Sequence, residues 1–283
     1  MRALDPLVGP ASMRVARWRG GGVVLLYHRV SSAPGPDYPP LRPGEFRKHL
    51  DLLTDLFDVV PLDDFVARLV DGRSLRSCCA ITFDDGYADF LGEALPVIRE
   101  ASVPVTHFLV VDALLTGRPP WNNRFDRIAR LGGTPPDADP GGLFRELARM
   151  GREEREAKLA AWEASLDPAD ELPAMLRVDD LQVLLESGVT LGAHTLSHAF
   201  LTRVTPEEAR RELSESRRKL QELSGRPVAF ASYPQGLSNG RVESLAAEAG
   251  YDAAFAVGQR RARPGDGRYC IPRFDLTDRP AWM

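Results

Sequence analysis

The amino-acid sequence predicts an α/β protein whose parallel strands close into a barrel or near-barrel of about seven strands. Short apolar runs alternate with amphipathic stretches along most of the chain, and this alternation is typical of a parallel sheet covered by helices. The run at 78–83 is apolar throughout, as expected of a strand that is buried on both faces. Because the strand-like runs number about seven, we favour a barrel over an open sheet.

Each expected element rests on a local pattern. In residues 45–57, apolar side chains recur every three or four positions, which indicates an amphipathic helix. Another helix is expected at 206–224, because Thr205 can cap its first turn and Gly225 can end it. The expected strands lie at 23–26, 59–60, 78–83, 105–111, 189–193, 228–232 and 251–256. The remaining helices are expected at 62–70, 143–166, 179–187 and 241–249, with one more that follows the 78–83 strand and ends at about 101.

Composition narrows the class of protein. The chain of 283 residues carries 36 basic and 40 acidic side chains, a formal net charge of −4. This balance argues against a dedicated nucleic-acid-binding protein, which usually presents a basic domain or patch. Three cysteines, an odd number, favour free thiols over a disulfide framework. No run of the sequence approaches the roughly 18–20 apolar residues of a transmembrane span.

The domain organisation follows from the same patterns. We expect residues 1–22 to be a flexible leader and residues 23–283 to form one barrel domain with an insertion at 112–175. The leader lacks the apolar core of a secretory signal, so we expect a cytoplasmic protein, although a cluster of arginines in the leader leaves loose membrane association open. The insertion is expected to be irregular at 112–142 and helical at 143–166, and its position suggests a lid over the barrel mouth.

Three of the expected strands end in polar residues of catalytic type. They are followed by Asp84-Asp85-Gly86, by His194-Thr195-Leu196-Ser197-His198 and by Ser232-Tyr233-Pro234-Gln235-Gly236. In parallel barrels, functional groups gather at the carboxyl ends of the strands, so these segments would face one mouth. Taken alone, Asp84 and Asp85 could equally form a strand-ending turn, because Asp-Gly is common in turns.

Two histidines separated by four positions, His194 and His198, have a spacing suited to metal chelation. A pair of capping or surface histidines would show the same spacing. Together with one carboxylate of the Asp pair, the two imidazoles would make a three-ligand site that leaves positions open for water and substrate. The other carboxylate could then stay free as a base, held ionised by the charge of the metal.

These motifs resemble those of the polysaccharide deacetylases, the carbohydrate esterase family four with the chitooligosaccharide deacetylase domain. The resemblance rests on segments 82–87 and 194–198 and extends more weakly to 27–30, 103–108, 230–236 and 271–273. It covers most of the chain and implies a distorted (β/α) barrel. It also implies a hydrolase that removes acetyl groups from N-acetylated amino sugars or, in some members, from O-acetylated sugars.

The resemblance carries roles onto individual residues. Asp84 resembles the general base, and Asp85, His194 and His198 resemble the ligands of a divalent ion, usually zinc and sometimes cobalt or nickel. A backbone N–H near Gln235 would stabilise the tetrahedral oxyanion that forms during hydrolysis.

The sequence departs from the family pattern in two respects. Many members carry an arginine and an aromatic residue where this chain has Ser232 and Gln235, and no late histidine is present to serve as the acid. A subgroup with a Tyr-His motif and a Pro-Arg motif is closer. In that subgroup's pattern, Arg273 could supply the missing guanidinium to Asp84, and His28 could be the acid or a substrate contact. A surface ion pair for Arg273 and a structural role for His28 are the alternatives.

Tyr87, Trp121 and Tyr233 are candidate contacts for an acetylated sugar substrate. Core packing explains Tyr87 and Trp121 equally well, and we interpret His107 as a packing residue. The expected function is a metal-dependent hydrolase that removes acetyl groups from N-acetylated amino sugars of a polysaccharide or glycan precursor. The alternatives are a deformylase or deacylase of a lipid-linked amino sugar, and a catalytically inactive sugar-binding homologue.

Overall fold

The structure is a computed structural model that describes residues 21–33, 39–167 and 172–276. The leader expected at 1–22 therefore lies outside the described residues, except for its last two positions. Among the helices that these three segments form, none is both long enough and apolar enough to cross a membrane.

Parallel strands of the described chain close into a barrel. The strands are β1 (Val23–Tyr27), β2 (Asp58–Val59), β3 (Cys78–Phe83), β4 (Val105–Leu109), β5 (Thr190–Ala193), β6 (Phe230–Ser232), β7 (Ala253–Val257) and β8 (Ile271–Asp275). The ring runs in the order β1, β8, β7, β6, β5, β4, β3, and pairing between β3 and β1 closes it. The predicted parallel barrel of about seven strands is thereby confirmed.

Besides shifts of strand ends by up to two residues, two strands differ from the sequence-based expectation in their place in the sheet. Strand β2 lies outside the ring, because it pairs only with the first two residues of β3. Strand β8, which was not predicted, completes the ring between β7 and β1. Its sequence Ile-Pro-Arg-Phe-Asp contains no apolar run, because a proline and two charged residues interrupt it. The sequence pattern at 271–275 therefore does not predict a buried strand.

Helices cover the barrel and build the insertion. They are α1 (Pro43–Leu56), α2 (Leu62–Val70), α3 (Leu95–Ala101), α4 (Val111–Thr116), α5 (Trp121–Arg130), α6 (Pro140–Leu147), α7 (Arg152–Glu163), α8 (Leu181–Glu186), α9 (Pro206–Ser224) and α10 (Gly240–Glu248). A π-helical turn at Phe90–Ala94 leads into α3. The predicted boundaries of α9 are confirmed, since the Thr205 hydroxyl accepts the Glu208 N–H at 3.2 Å and Gly225 ends the helix with a φ of 64°.

The insertion is more helical than its sequence suggests, which corrects the expectation for 112–142. Most of α4, all of α5 and the start of α6 fall within this stretch. Gly117, with a φ of 70°, ends α4, and Pro120 directly precedes the first turn of α5. The glycines and prolines here begin and end helices, as these residues commonly do at helix termini. The helix expected at 143–166 is correspondingly divided into α6 and α7, with Gly151 between them.

The barrel interior has an apolar layer below a polar one. The apolar layer consists of Val24, Ala80, Phe108, Phe230, Phe255 and Ile271, with side chains of α2 in the same cluster. Because side chains alternate along each strand, Thr82, Asp84, Ser232 and Arg273 come next toward the carboxyl ends of the strands. The guanidinium of Arg273 lies over the Phe108 ring, 5.5 Å from its centroid, so the apolar layer supports the polar one.

Candidate active site

Asp84 follows β3 directly and is held by side chains from two other strands. Arg273 of β8 donates to both of its carboxylate oxygens, from Nη1 to Oδ1 at 2.8 Å and from Nη2 to Oδ2 at 2.7 Å. The Ser232 hydroxyl of β6 donates to Oδ2 at 2.9 Å. All three side chains are buried. The expected contact between Arg273 and Asp84 is therefore present, and burial excludes a surface ion pair.

The electrostatics of this group keep Asp84 ionised. Burial opposes ionisation, but the charge and hydrogen bonds of Arg273 outweigh it and hold the pKa of Asp84 well below its ordinary value. His194 and His28 act in the same direction. Asp84 is consequently a carboxylate over the whole neutral pH range, and only a weak proton acceptor.

Asp85, the next residue, lies against two histidines. Its backbone has a φ of 75°, in the left-handed region that non-glycine residues rarely adopt, and Gly86 continues the turn with a φ of 88°. Asp85 Oδ1 lies 3.4 Å from Nε2 of His194 and 3.4 Å from Nε2 of His198. The adjacent carboxylates thus have different closest partners, although Nε2 of His194 also lies 3.8 Å from Asp84 Oδ2.

The three side chains fit a divalent cation. One ligand atom from each of Asp85, His194 and His198 lies within 4.8 Å of the others, and all three residues are buried. Asp85 Oδ1 has no hydrogen-bond partner among the described residues, which is unusual for a buried carboxylate oxygen. A buried oxygen that faces two imidazole nitrogens needs a positive charge beside it, and the donor set suits zinc.

The orientation of His194 is fixed by its other ring nitrogen. Nδ1 lies 2.9 Å from the carbonyl oxygen of Ser232. Because a carbonyl only accepts, Nδ1 carries the proton and Nε2 faces Asp85. Burial lowers the pKa of His194, but Asp84 and Asp85 outweigh burial and raise it overall. The two carboxylates therefore favour a positive charge at Nε2, either a proton or a cation.

The loop between the two histidines has a constrained backbone. Thr195 and His198 have φ values of 65° and 61°, each in a region that costs a non-glycine residue on the order of 1–3 kcal/mol. The carboxylate of Glu212, on α9, accepts the backbone N–H groups of Leu196 and Ser197, both at 2.8 Å. These bonds hold the strained loop in the shape that brings the two imidazoles together.

The insertion also contacts this loop. Trp121 Nε1 of α5 donates to the carbonyl oxygen of His198 at 2.9 Å. Arg155 of α7 donates to the Ser197 hydroxyl at 2.7 Å, and its guanidinium lies 5.2 Å from the centre of the Trp121 ring. The insertion therefore supports the histidine loop from outside the barrel.

His28 and Gln235 stand at two further strand ends. His28, just after β1, is buried, and its charge would favour the ionised forms of both Asp84 and Asp85. Gln235 lies in the 3₁₀ turn Pro234–Gly236 that follows β6, half-buried and with a φ of 57°. The structure places His28 near the carboxylates and Gln235 at the carboxyl end of β6.

The structure corrects the expectation that Tyr87, Trp121 and Tyr233 contact a sugar. Each ring is at most 1% exposed. The Tyr87 hydroxyl accepts a hydrogen bond from Asn123 at 2.8 Å, and the Tyr233 hydroxyl donates to the Tyr269 carbonyl at 2.9 Å. No ring face is open for stacking, so these side chains are packing residues.

Sequence reasoning missed Glu212 and Arg155. Glu212 shares the buried stripe of α9 with Ala209, Leu213 and Leu220, and a carboxylate at an apolar position of an amphipathic helix is a signal that could have identified it. Arg155 lies in a strongly charged helix, where nothing in the sequence marks it as buried.

The fold and the site together indicate a class of enzyme. A parallel barrel with an ion-paired carboxylate beside a potential three-ligand metal site is an arrangement suited to metal-assisted hydrolysis. The chain belongs to the polysaccharide deacetylase family, because the family model with the description "Polysaccharide deacetylase" matches residues 71–254. This match confirms the resemblance seen in the motifs. The matched segment includes both histidine ligand candidates and the Asp pair, but neither β1 nor β8.

Individual relatives agree with this assignment. The chain is 20% identical over 256 residues to "Putative polysaccharide deacetylase YxkH" of Bacillus subtilis (strain 168), covering 90% of this chain and 71% of the relative. Among solved structures, the Streptococcus pyogenes deacetylase PplD in complex with acetate is 15% identical and superposes with a TM-score of 0.64, covering 91% of this chain and 92% of that one. IcaB from Ammonifex degensii is 18% identical with a TM-score of 0.64, covering 90% and 91%. Both solved structures share the fold.

Proposed function

We propose that the protein is a metal-dependent hydrolase that removes acetyl groups from N-acetylated amino sugars of a polysaccharide or glycan precursor. The observation that carries the proposal is the pairing of two neighbouring groups. Asp85, His194 and His198 converge on one point, and Asp84 stands beside them as a carboxylate that Arg273 keeps ionised. One group would bind the cation, and the other would accept a proton.

The pairing of Asp84 with Arg273 is relevant to the need for a metal. A general base works best when its pKa lies near the operating pH, so a carboxylate held ionised by an arginine is a weak base toward ordinary water. A zinc ion held by Asp85, His194 and His198 would supply a more acidic water and polarise the acyl oxygen. Asp84 would then take the proton of that water as it attacks the acetyl carbon.

Two further residues would complete the reaction. The backbone N–H of Gln235 would donate to the oxyanion that develops on the acyl oxygen, where a fixed donor is most effective. His28 would give a proton to the leaving amine, since it lies buried after the end of β1, near both carboxylates. Arg273 would act through Asp84 by keeping it ionised and oriented.

Acetate release tests this proposal. Protein stripped with EDTA and reloaded with zinc or cobalt should release acetate from N-acetylglucosamine oligomers. Asp84→Asn should lower the rate by about 10²–10⁴-fold, the usual contribution of a general base. Asp55→Asn, at an exposed position of α1, is the matched control and should match the wild type.

Two outcomes would overturn the proposal. A rate for Asp84→Asn within about tenfold of the wild type would mean that Asp84 is not the base, because a base contributes more than this. Wild-type protein that binds the oligomers without releasing acetate would instead support an inactive sugar-binding homologue. Formate or longer acyl groups released from lipid-linked amino sugars, with acetylated oligomers untouched, would point to a deformylase or deacylase.

A further inference from the structure

Ser232 contacts both halves of the candidate site through different atoms. Its hydroxyl donates to Asp84 Oδ2 at 2.9 Å and accepts from Arg273 Nη2 at 2.7 Å. Its backbone carbonyl accepts the Nδ1 proton of His194 at 2.9 Å. The residue is fully buried. One serine therefore connects the carboxylate base candidate to a metal ligand candidate.

We propose that Ser232 is a positioning residue that sets the distance and angle between Asp84 and His194. The inference rests on the proposed function and deepens it. The side chain of Ser232 orients the base, and its main chain orients the imidazole that faces the cation. The hydroxyl thus affects the chemical step, and the carbonyl affects metal binding.

A hydroxyl is suited to this place because it donates and accepts at once. Toward Arg273 it must accept, since a guanidinium only donates, and toward Asp84 it must donate, since a carboxylate only accepts. A carboxylate has about four lone-pair positions, and Arg273 and Ser232 together occupy three of those of Asp84. One position, on Oδ1, is left for a proton after these three bonds. Without the hydroxyl, two positions would be open and the carboxylate could accept a proton in an unproductive direction.

The carbonyl of Ser232 is held independently of the side chain. In the parallel pairing of β6 with β7, Ser232 lies opposite Phe255, and the N–H of Tyr233 donates to the Phe255 carbonyl at 3.0 Å. Below the serine, the interior is filled by the apolar layer that includes Phe108 and Phe230. Substitution of the hydroxyl should therefore leave the backbone and the His194 bond in place. This separation makes the two roles of Ser232 independently testable.

The test compares Ser232→Ala with Ser232→Thr, which keeps a hydroxyl, and with Ser244→Ala, which removes an exposed hydroxyl bonded to its own helix. Acetate release is measured from N-acetylglucosamine oligomers and from 4-nitrophenyl acetate, an activated ester that needs little of the sugar site. Ser232→Ala should lower kcat by about 10–100-fold, the usual cost of losing a supporting hydrogen bond, with KM unchanged. Ser232→Thr should recover most of the rate, and Ser244→Ala should match the wild type.

A metal-binding measurement without substrate separates positioning from general damage. Cobalt titrated into Ser232→Ala should give the same Kd and the same visible absorption spectrum as the wild type, because the carbonyl that orients His194 remains. If Ser232→Ala lowers the melting temperature severely, Ser232→Cys preserves the packing with a weaker donor and should give an intermediate kcat.

The outcomes for Ser232 and for the proposed function are distinct. If the wild type releases acetate and Ser232→Ala keeps kcat within about twofold, short of the tenfold cost expected, the positioning role is wrong and the function stands. If Ser232→Ala loses rate and cobalt affinity together, and Ser232→Thr recovers neither, the serine is merely structural. If the wild type loaded with zinc or cobalt hydrolyses neither probe, the proposed function fails and the inference fails with it.

Discussion

Arg273 donates one hydrogen bond to each carboxylate oxygen of Asp84, at 2.8 and 2.7 Å, across 189 residues of sequence. Neither residue is more than 2% exposed. Two buried charges have lost their hydration, so each depends on the other for compensation. Removing either partner alone should therefore destabilise the barrel interior as well as disturb the geometry of the candidate site.

The dependence of these two charges on each other is measurable. Arg273→Met should lower the free energy of unfolding by about 3–5 kcal/mol, because it leaves a buried carboxylate without its partner. The double variant Arg273→Met/Asp84→Asn should recover most of this loss, since no charge is left uncompensated. Urea denaturation of metal-free protein measures both free energies of unfolding.

The control is an exposed ion pair. Arg210→Met breaks the pair with Glu248 and should lower the free energy of unfolding by no more than about 1 kcal/mol. Equal losses in the single and double variants would contradict the argument.

Substitution of Asp85, but not of its neighbour Asp84, should weaken metal binding. Asp85→Asn should weaken cobalt binding by more than about 100-fold, because losing a ligand exceeds the 10–100-fold cost of losing a supporting bond. Asp84→Asn should bind cobalt with nearly wild-type affinity while losing activity. Isothermal titration of cobalt into each protein gives the comparison. Similar weakening by both substitutions would mean that the division of labour inferred from the geometry is incorrect.

Glu212 should influence metal affinity without touching the metal. Burial raises the pKa of this carboxyl group. Its Oε2 accepts both loop N–H groups, and its Oε1 accepts the Ser197 hydroxyl proton at 2.5 Å. Glu212→Gln places an NH₂ donor where one oxygen now accepts, so either the two loop N–H bonds or the bond from the Ser197 hydroxyl is disturbed. Cobalt affinity should therefore fall by about tenfold, the lower end of the range for supporting residues. The matched control is Glu207→Gln, at an exposed position of the same helix. An unchanged cobalt Kd in Glu212→Gln would show that the loop holds its shape without this carboxylate.

His107 should make the folded state sensitive to acid. Its ring is buried 4.5 Å from that of Phe90, and burial lowers the pKa of His107 to about 4. The unfolded chain, with a histidine pKa of about 6.5, therefore binds a proton that the folded chain excludes. Stability is lost as the pH falls from about 6.5 toward 4, and the loss ends below that.

Replacing this histidine should remove that sensitivity. Between pH 8 and pH 4.5, the wild type should lose about 2–3 kcal/mol more than His107→Phe, as measured by urea denaturation. At pH 8 the ring is neutral in both states, so the difference between the two proteins there reports packing alone. The same loss in both proteins would assign the acid sensitivity to other groups.

The sequence was sufficient to locate the parts of the site that lie at the ends of apolar strands. Asp84, Asp85, His194 and His198 stand out because each cluster follows an uninterrupted buried run, and parallel strands bring such ends together. The two ends of α9 could also be predicted from the sequence, since Thr205 and Gly225 act through local backbone geometry.

Other features depend on packing that a linear pattern does not record. Helix α5 is rich in polar residues yet almost wholly buried, because side chains such as Arg124 find partners on α7, with Glu163 at 2.8 Å. Trp121 is an aromatic residue near the mouth, but its indole N–H is used by a backbone carbonyl. The role of Ser232 required both its hydroxyl and its carbonyl to be placed, and only the closed barrel places them.

The position of β8 between β7 and β1 has a consequence for biosynthesis. The ring joins a strand that begins at Val23 to one that ends at Asp275, so a growing chain on the ribosome cannot close it until nearly all of these residues have emerged. Arg273 arrives with that last strand. Until then Asp84 lacks its counter-ion, although the motifs from 84 to 236 have already been synthesised. Closure of the barrel and completion of the candidate site therefore depend on the same strand.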